Sequence, residues 1–264
     1  MRWELTYRET WLHQMNPAVK LLVMLFFFIT VLFIHNPNVS FYIMVGCLLM
    51  FVLFTGYRWK HLLMFLLPFL VIFISTSTSM MFFGKGETTW WKWGLIHITE
   101  ESFYRGLHLG FRALTFALLG LTFSLTTRPV YLFYSLMQQL KIKPKYAYSF
   151  LAGVRLIPIM FLEFQTIRQA LMVRGVMNEK GVKAFVERMN RYAIPLLSQS
   201  IRRAQRLAVA MQAKGFSEES ERTYYYEMKI NKHDVLFSFG MLVFTLLIYF
   251  MAVTFPWFPM TDVR

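Results

Sequence analysis

The sequence is short of almost everything a soluble catalytic domain uses. Its single cysteine, Cys47, sits inside an apolar run, so no intrachain disulfide can form. Its six histidines are scattered, without metal-ligand spacing. Charged residues are only 16% of the chain, against about 25% in a typical soluble domain. Too few solvating groups remain to cover a water-facing globule. Acidic residues are the scarcest of these, 14 Asp and Glu against 28 Lys and Arg, and no acid, base and nucleophile cluster in a way that would suit an enzyme. The loop Gly84-Lys85-Gly86-Glu87-Thr88-Thr89 lacks the phosphate-binding spacing. That motif needs Gly where Ser79 stands, and Ser or Thr where Gly86 stands.

What the sequence does have is hydrophobicity with segregated charge. Apolar residues make up 56% and aromatics 18%, with 28 Phe, yet the net charge is +14. A helix crosses a bilayer with about 20 mostly apolar residues. Five runs qualify as spans: residues 18–34, 39–55, 62–83 (with Pro68 inside), 108–125 and 235–255. The first is too long for a signal-peptide core and no small-residue cleavage site follows it, so it reads as a retained span. His35-Asn36-Pro37-Asn38 is a turn between the first two. The loop over 84–94 carries Trp90, Trp91 and Trp93, residues suited to a membrane interface.

Residues 128–234 differ in character. They hold 18 Lys and Arg against 8 Asp and Glu, a net +10 of the total +14. Positive loops stay in the cytoplasm, and Arg2, Arg8, Lys20, Arg58 and Lys60 fall on the same side. The expected topology has the N-terminus inside, five spans and the C-terminus outside. Membrane topology accounts for the basic charge without nucleic acid. Helical patterns recur in this segment, one through Phe150, Val154, Ile157, Phe161 and Leu162, another through Tyr192, Ile194, Leu197, Ile201 and Leu207. They read as amphipathic helices that either lie on anionic lipid or dock a partner. The expected fold is an all-α polytopic membrane protein with long amphipathic cytoplasmic coupling helices. Its parts are membrane helices in 1–127, a coupling region in 128–234, and a final span with its tail in 235–264.

Two features invite a functional reading. Glu101, Arg105, His108 and Arg112 are spaced +4, +7 and +11, so they share one helical stripe. Ionisable groups at membrane depth are costly and often functional. The structural alternative pairs Glu101 with Arg105 at the outer interface while the rest snorkel. The second feature is a repeat: Val173-Arg174-Gly175 and Ala213-Lys214-Gly215 each end a helix with a base followed by glycine. One such ending is only a helix stop. Two on equivalent helices suggest paired docking points for a dimeric partner.

The chain resembles the transmembrane coupling component of energy-coupling factor transporters, the EcfT/CbiQ family. The likeness rests on Leu12-His13-Gln14-Met15-Asn16-Pro17-Ala18-Val19-Lys20-Leu21, Gly110-Phe111-Arg112, Thr126-Thr127-Arg128-Pro129 and Arg155-Leu156-Ile157-Pro158 with Glu163. Further along it rests on Tyr192-Ala193-Ile194-Pro195, Arg202-Arg203-Ala204 and Ala210-Met211-Gln212-Ala213-Lys214-Gly215-Phe216, and their order and spacing make it specific. The family signature is a pair of Ala-Arg-Gly tripeptides. Here Val173 replaces the first Ala, and Lys214 replaces the second Arg, keeping the charge but losing the planar fork. The resemblance implies a non-catalytic subunit in a bacterial or archaeal cell membrane, with two ABC-type ATPase subunits and a membrane-embedded substrate-binding (S) subunit as partners. It binds no cofactor itself, ATP being hydrolysed by the partners, and the cargo is a vitamin or micronutrient. The alternative is a stand-alone secondary transporter or channel using the Glu101–Arg112 stripe.

Overall fold

Two Asn-Pro pairs open the first long helices, each for the same local reason. The structure is a computed structural model that describes residues 8–84, 88–93, 96–175, 182–216, 223–259 and 262–263, with the backbone alone at 91–93, 96–97 and 182–185. Arg2, Lys85, Gly86, Glu87 and Gly94 lie outside the described residues. After a single turn, α1 (Trp11–Gln14), Asn16 accepts from the Ala18 N–H at 3.1 Å and Pro17 takes the first helical position of α2 (Pro17–Phe33). Asn36 accepts from the Asn38 N–H at 2.9 Å, with Pro37 opening α3 (Pro37–Phe54). An asparagine cap satisfies one orphan donor, and proline has no N–H to leave orphaned.

Next comes α4 (Trp59–Phe83), which carries Pro68 internally. The tryptophan-rich stretch expected as a loop instead forms an antiparallel hairpin of β1 (Thr89–Trp93) and β2 (Ile96–Thr99), with Trp91 opposite Ile98 and Trp93 opposite Ile96. Aromatic and β-branched residues in alternation favour the extended pairing. The hairpin leads straight into α5 (Glu100–Thr126) through a reciprocal cap: Ser102 N–H donates to Thr99 Oγ1 at 3.2 Å and Thr99 N–H to Ser102 Oγ at 3.0 Å. This cap starts α5 eight residues before the apolar run that marks it in the sequence. Four more helices follow: α6 (Pro129–Gln139), α7 (Pro144–Val173), α8 (Val182–Ala213) and α9 (Lys232–Thr254).

The chain divides into two units, residues 1–135 with 228–264, and residues 136–227. In the first, α4 and α3 both pack along α5, and α2 and α9 close the bundle. Its core includes Met24, Phe27, Ile43, Phe51, Leu118 and Met241. Asn38, only 1% exposed, receives the Trp257 and Phe258 N–H groups at 2.8 Å each and donates to Phe258 O at 2.9 Å. This fastens the chain beyond α9 to the α2–α3 turn.

Five helices are long and apolar enough to cross a membrane: α3, α4, α5, α7 and α9. The number agrees with the expectation but the membership differs. The first expected span, α2, is 17 residues long and falls among the shorter apolar helices; at about 1.5 Å per residue it covers about 26 Å, close to the hydrocarbon thickness. In its place stands α7, expected as a coupling helix. The cause lies in how the apolar residues are distributed. They stand strongly to one side of α8 but weakly so on α7, and Phe150, Ile157, Phe161 and Leu162 are exposed in this chain alone.

Close approach of α4 and α5 depends on small residues. A methyl at Gly106 would lie 2.7 Å from Ser77 O, a backbone atom of α4, whereas one at Gly120 would meet nothing within 4 Å. Gly106→Ala is therefore expected to lower the thermal midpoint of the purified protein, since the helices must separate. Gly120→Ala is expected to raise it, by roughly 0.5–1 kcal/mol of helix propensity.

Candidate functional site

In the second unit, α7 and α8 form an antiparallel pair. Phe164 lies against Tyr192 with ring centroids 5.0 Å apart, and Glu163 pairs with Arg203. Near the start of α7, Tyr148 meets Phe216 edge-on at 5.7 Å, just past the end of α8. At the other end, Ile167, Leu171 and Arg174 face Asn190, Arg191 and Ile194 across a cleft of about 460 Å³.

The two base-glycine endings have the same backbone geometry. Gly175 and Gly215 are left-handed, with φ of 70° and 75°. At the α8 end, Gly215 N–H donates to Gln212 O (2.9 Å) and Phe216 N–H to Met211 O (3.0 Å), a full Schellman closure. At the α7 end, Gly175 N–H donates to Met172 O at 3.0 Å, the inner bond of the same closure. Arg174 and Lys214 thus each occupy the capping position, where their charge complements the helix dipole. Both tripeptides are exposed, and Val173 is 90% exposed. A methyl at either glycine would meet nothing within 4 Å. Gly215→Val is accordingly expected to cost only the left-handed backbone penalty, about 1–2 kcal/mol, read as fraying of the last turn of α8 by amide hydrogen exchange.

Because the helices are antiparallel, the two bases lie at opposite ends of the pair. The helix from Tyr148 to Arg174 spans about 39 Å at about 1.5 Å per residue, and Phe216 brings the Lys214 end beside Tyr148. The pair therefore presents two equivalent basic ends roughly 40 Å apart.

In the first unit, motif residues far apart in sequence meet in a buried polar anchor. Asp234, fully buried, accepts the Asn16 N–H and the Asn231 N–H, both at 2.8 Å. Asn16 also receives the Ser135 hydroxyl and reaches Lys229 O at 3.4 Å. Lys20, 1% exposed, donates to Leu12 O at 2.5 Å and to Thr126 O at 3.2 Å, with the Thr126 and Thr127 hydroxyls at 3.3 and 3.4 Å. Asp234 supplies an opposing charge for Lys20. Nearby, burial and the Lys20 charge hold the His13 imidazole below its usual pKa. The anchor gathers the start of α2, the end of α5, α6 and the start of α9. Asn16, Lys20, Thr126 and Thr127 were visible as motif residues. Ser135 and Asp234 carried no sequence signal beyond the Asn-x-x-Asp cap.

The four stripe residues all stand on α5. Glu101 reaches back to the hairpin, accepting from Thr88 N–H at 3.3 and 3.4 Å. Deeper, Arg112 Nη2 donates to Ile34 O at 2.7 Å and contacts His108 Nε2 at 3.1 Å, while His108 Nδ1 lies 3.0 Å from Ser40 Oγ. Arg112 therefore caps the end of α2. Among the described residues, no group of three or more His, Cys, Asp or Glu side chains is placed to hold a metal ion.

Bundle, exposed helix pair and basic helix ends define a polytopic helical membrane protein. The profile of the CbiQ family, described as cobalt transport protein, matches residues 8–225. The energy-coupling factor transporter transmembrane protein EcfT of Thermotoga maritima is 30% identical over 253 residues, covering 89% of this chain and 88% of its own. That of Limosilactobacillus fermentum is 29% identical, covering 91% and 92%, and that of Lacticaseibacillus paracasei 25%, covering 90% and 92%. The chain belongs to the EcfT/CbiQ family of energy-coupling factor transporter transmembrane proteins.

Proposed function

We propose that this chain is the membrane scaffold of an ATP-driven importer, non-catalytic itself. It couples two cytoplasmic ABC-type ATPase subunits to a membrane-embedded subunit that binds a vitamin or micronutrient. The observation that carries this reading is the pair of exposed basic ends, Val173-Arg174-Gly175 and Ala213-Lys214-Gly215, each closed through a left-handed glycine and set roughly 40 Å apart on one helix pair. Paired ends suit two copies of one ATPase fold, each offering an acidic groove. Closure of the ATPases on ATP moves these ends, and α7 and α8 carry the motion. The apolar residues that α7 and α8 leave exposed, among them Ile157, Phe161, Ile194 and Ile201, provide a surface on which the substrate-binding subunit packs and shifts. ATP is bound by the ATPases and the cargo by the third subunit, so this chain holds no cofactor. The basic segment 128–234 lies in the cytoplasm, following the positive-inside rule.

Affinity purification of the tagged chain from membranes, with identification of the copurifying chains, tests this directly. Two ATPase chains and a small membrane protein are expected. A chain that purifies alone and supports substrate flux in vesicles, with flux lost on Arg112→Ala, would instead establish a stand-alone transporter.

A further inference from the structure

Between α3 and α9, with α1 at one end, lies a slot of about 410 Å³. Every described residue lining it is apolar, aromatic or glycine, among them Trp11, Gly46, Met50, Phe237, Gly240 and Phe244. Both helices are apolar enough to cross a membrane. An apolar space of this kind stays dry and takes up hydrocarbon rather than water. On α3 the lining extends from Gly46 to Phe54, and on α9 from Leu236 to Phe244. Each stretch is about 12 Å long at about 1.5 Å per residue. One leaflet's share of a hydrocarbon core about 30 Å thick is about 15 Å.

The slot opens where α3 ends and α9 begins, and it stops at mid-depth. A methyl at Gly46 would collide with the Phe244 ring, which therefore rests on the α3 backbone there, and Phe27 backs that ring at 6.1 Å. A partner's membrane helix needs a groove that runs the full thickness of the bilayer, whereas an acyl chain needs one leaflet. The open end suits a phospholipid headgroup. Trp11 lies there, edge-on to His233 with ring centroids 6.2 Å apart, and exposed Lys232 opens α9 beside it. Tryptophan sits at the membrane boundary, and a base at that level complements lipid phosphate. We propose that this slot holds one acyl chain of a phospholipid, entering from the boundary where α9 begins, with the headgroup phosphate beside Lys232. The chain fills the space that α3 and α9 leave between them. The site is independent of the coupling role.

Gly240 supplies the test position. A methyl there would meet nothing within 4 Å, and Gly240 itself lines the slot, so a leucine takes up its volume without disturbing the packing. The full-length protein, with its copurifying chains, is reconstituted in nanodiscs of equal parts phosphatidylethanolamine and phosphatidylglycerol. It is irradiated with a phospholipid carrying a diazirine in the middle of one acyl chain, and labelled residues are mapped by mass spectrometry. Labelling of Met50 and Phe237 is expected to exceed that of Val71 and Ile74, exposed on α4, by at least 10-fold. Gly240→Leu is expected to cut the slot labelling at least 10-fold, with the thermal midpoint at or above wild type because leucine replaces glycine in a helix. Leu53→Trp, at an exposed position of the same lining, is expected to give the same loss and serves if Gly240→Leu fails to fold. Gly120→Leu, on α5 and also meeting nothing within 4 Å, is expected to leave the labelling unchanged. Equal labelling of the slot and α4 overturns the proposal, as does slot labelling unaffected by the blocking substitutions in folded protein. So does a slot that lipid labels only after the copurifying chains are removed, which assigns it to a partner helix.

Discussion

Arg174→Glu combined with Lys214→Glu is expected to abolish copurification with the ATPase subunits while membrane insertion is retained. Both bases stand at the capping position of an exposed helix end, with no ion pair formed inside this chain among the described residues. Their removal therefore costs the fold little beyond a favourable dipole interaction of about 0.3–1 kcal/mol each. At an interface the balance is different. Truncating one partner of a buried charge pair costs about 2–5 kcal/mol, and glutamate adds repulsion against an acidic groove. In the proposed assembly two such losses compound, because each ATPase is tethered through its partner. The single variants should differ. Arg174→Glu removes a planar fork that can grip a carboxylate bidentately, and Lys214→Glu removes a point charge, so the first is expected to weaken recovery more. Unchanged recovery of ATPase with the double variant would refute the docking assignment.

Asp234→Ala is expected to be among the most damaging single substitutions for stability, costing about 3–5 kcal/mol, read as a fall in the thermal midpoint of the detergent-purified protein. The carboxylate is completely buried and accepts two backbone N–H groups. Its removal strands both donors, at about 1–3 kcal/mol each, and withdraws the opposing charge from buried Lys20. Lys20→Met should be damaging for the complementary reason, leaving Leu12 O and Thr126 O without their donor. The double variant Asp234→Ala with Lys20→Met is expected to cost less than the sum of the two, because each single change leaves an uncompensated charge and the pair does not. Arg128→Gln sets the scale for an exposed pair and should cost under about 1 kcal/mol. A midpoint for Asp234→Ala as close to wild type as that of Arg128→Gln would show that the anchor does not stabilise the bundle.

Much of the candidate site could be read from local sequence. A base followed by glycine at the end of a helical pattern specifies a left-handed closure whatever surrounds it, so both endings at 173–175 and 213–215 were legible, as were the Asn-Pro starts of α2 and α3. Helices α3, α4 and α9 were legible too, because about 20 apolar residues in succession have few alternatives. The start of α5 was not. Its first turn is polar, and it is fixed by the Thr99–Ser102 cap and the hairpin before it rather than by hydrophobicity. For α7, composition alone matches a membrane span, and its role depends on what covers it.

By itself the sequence determined a helical membrane chain, its segregated positive charge and the two equivalent helix endings. These follow from composition and from contacts within a turn or two of each residue. The tertiary structure alone decided that Asp234 meets Asn16, 218 residues away, that Lys20 is shared by α1 and the end of α5, and that the two basic ends point away from each other along an antiparallel pair. Such relations arise when buried polar groups must find partners in a space from which water is excluded. Which groups those are depends on how whole helices pack, and no local stretch of sequence encodes it.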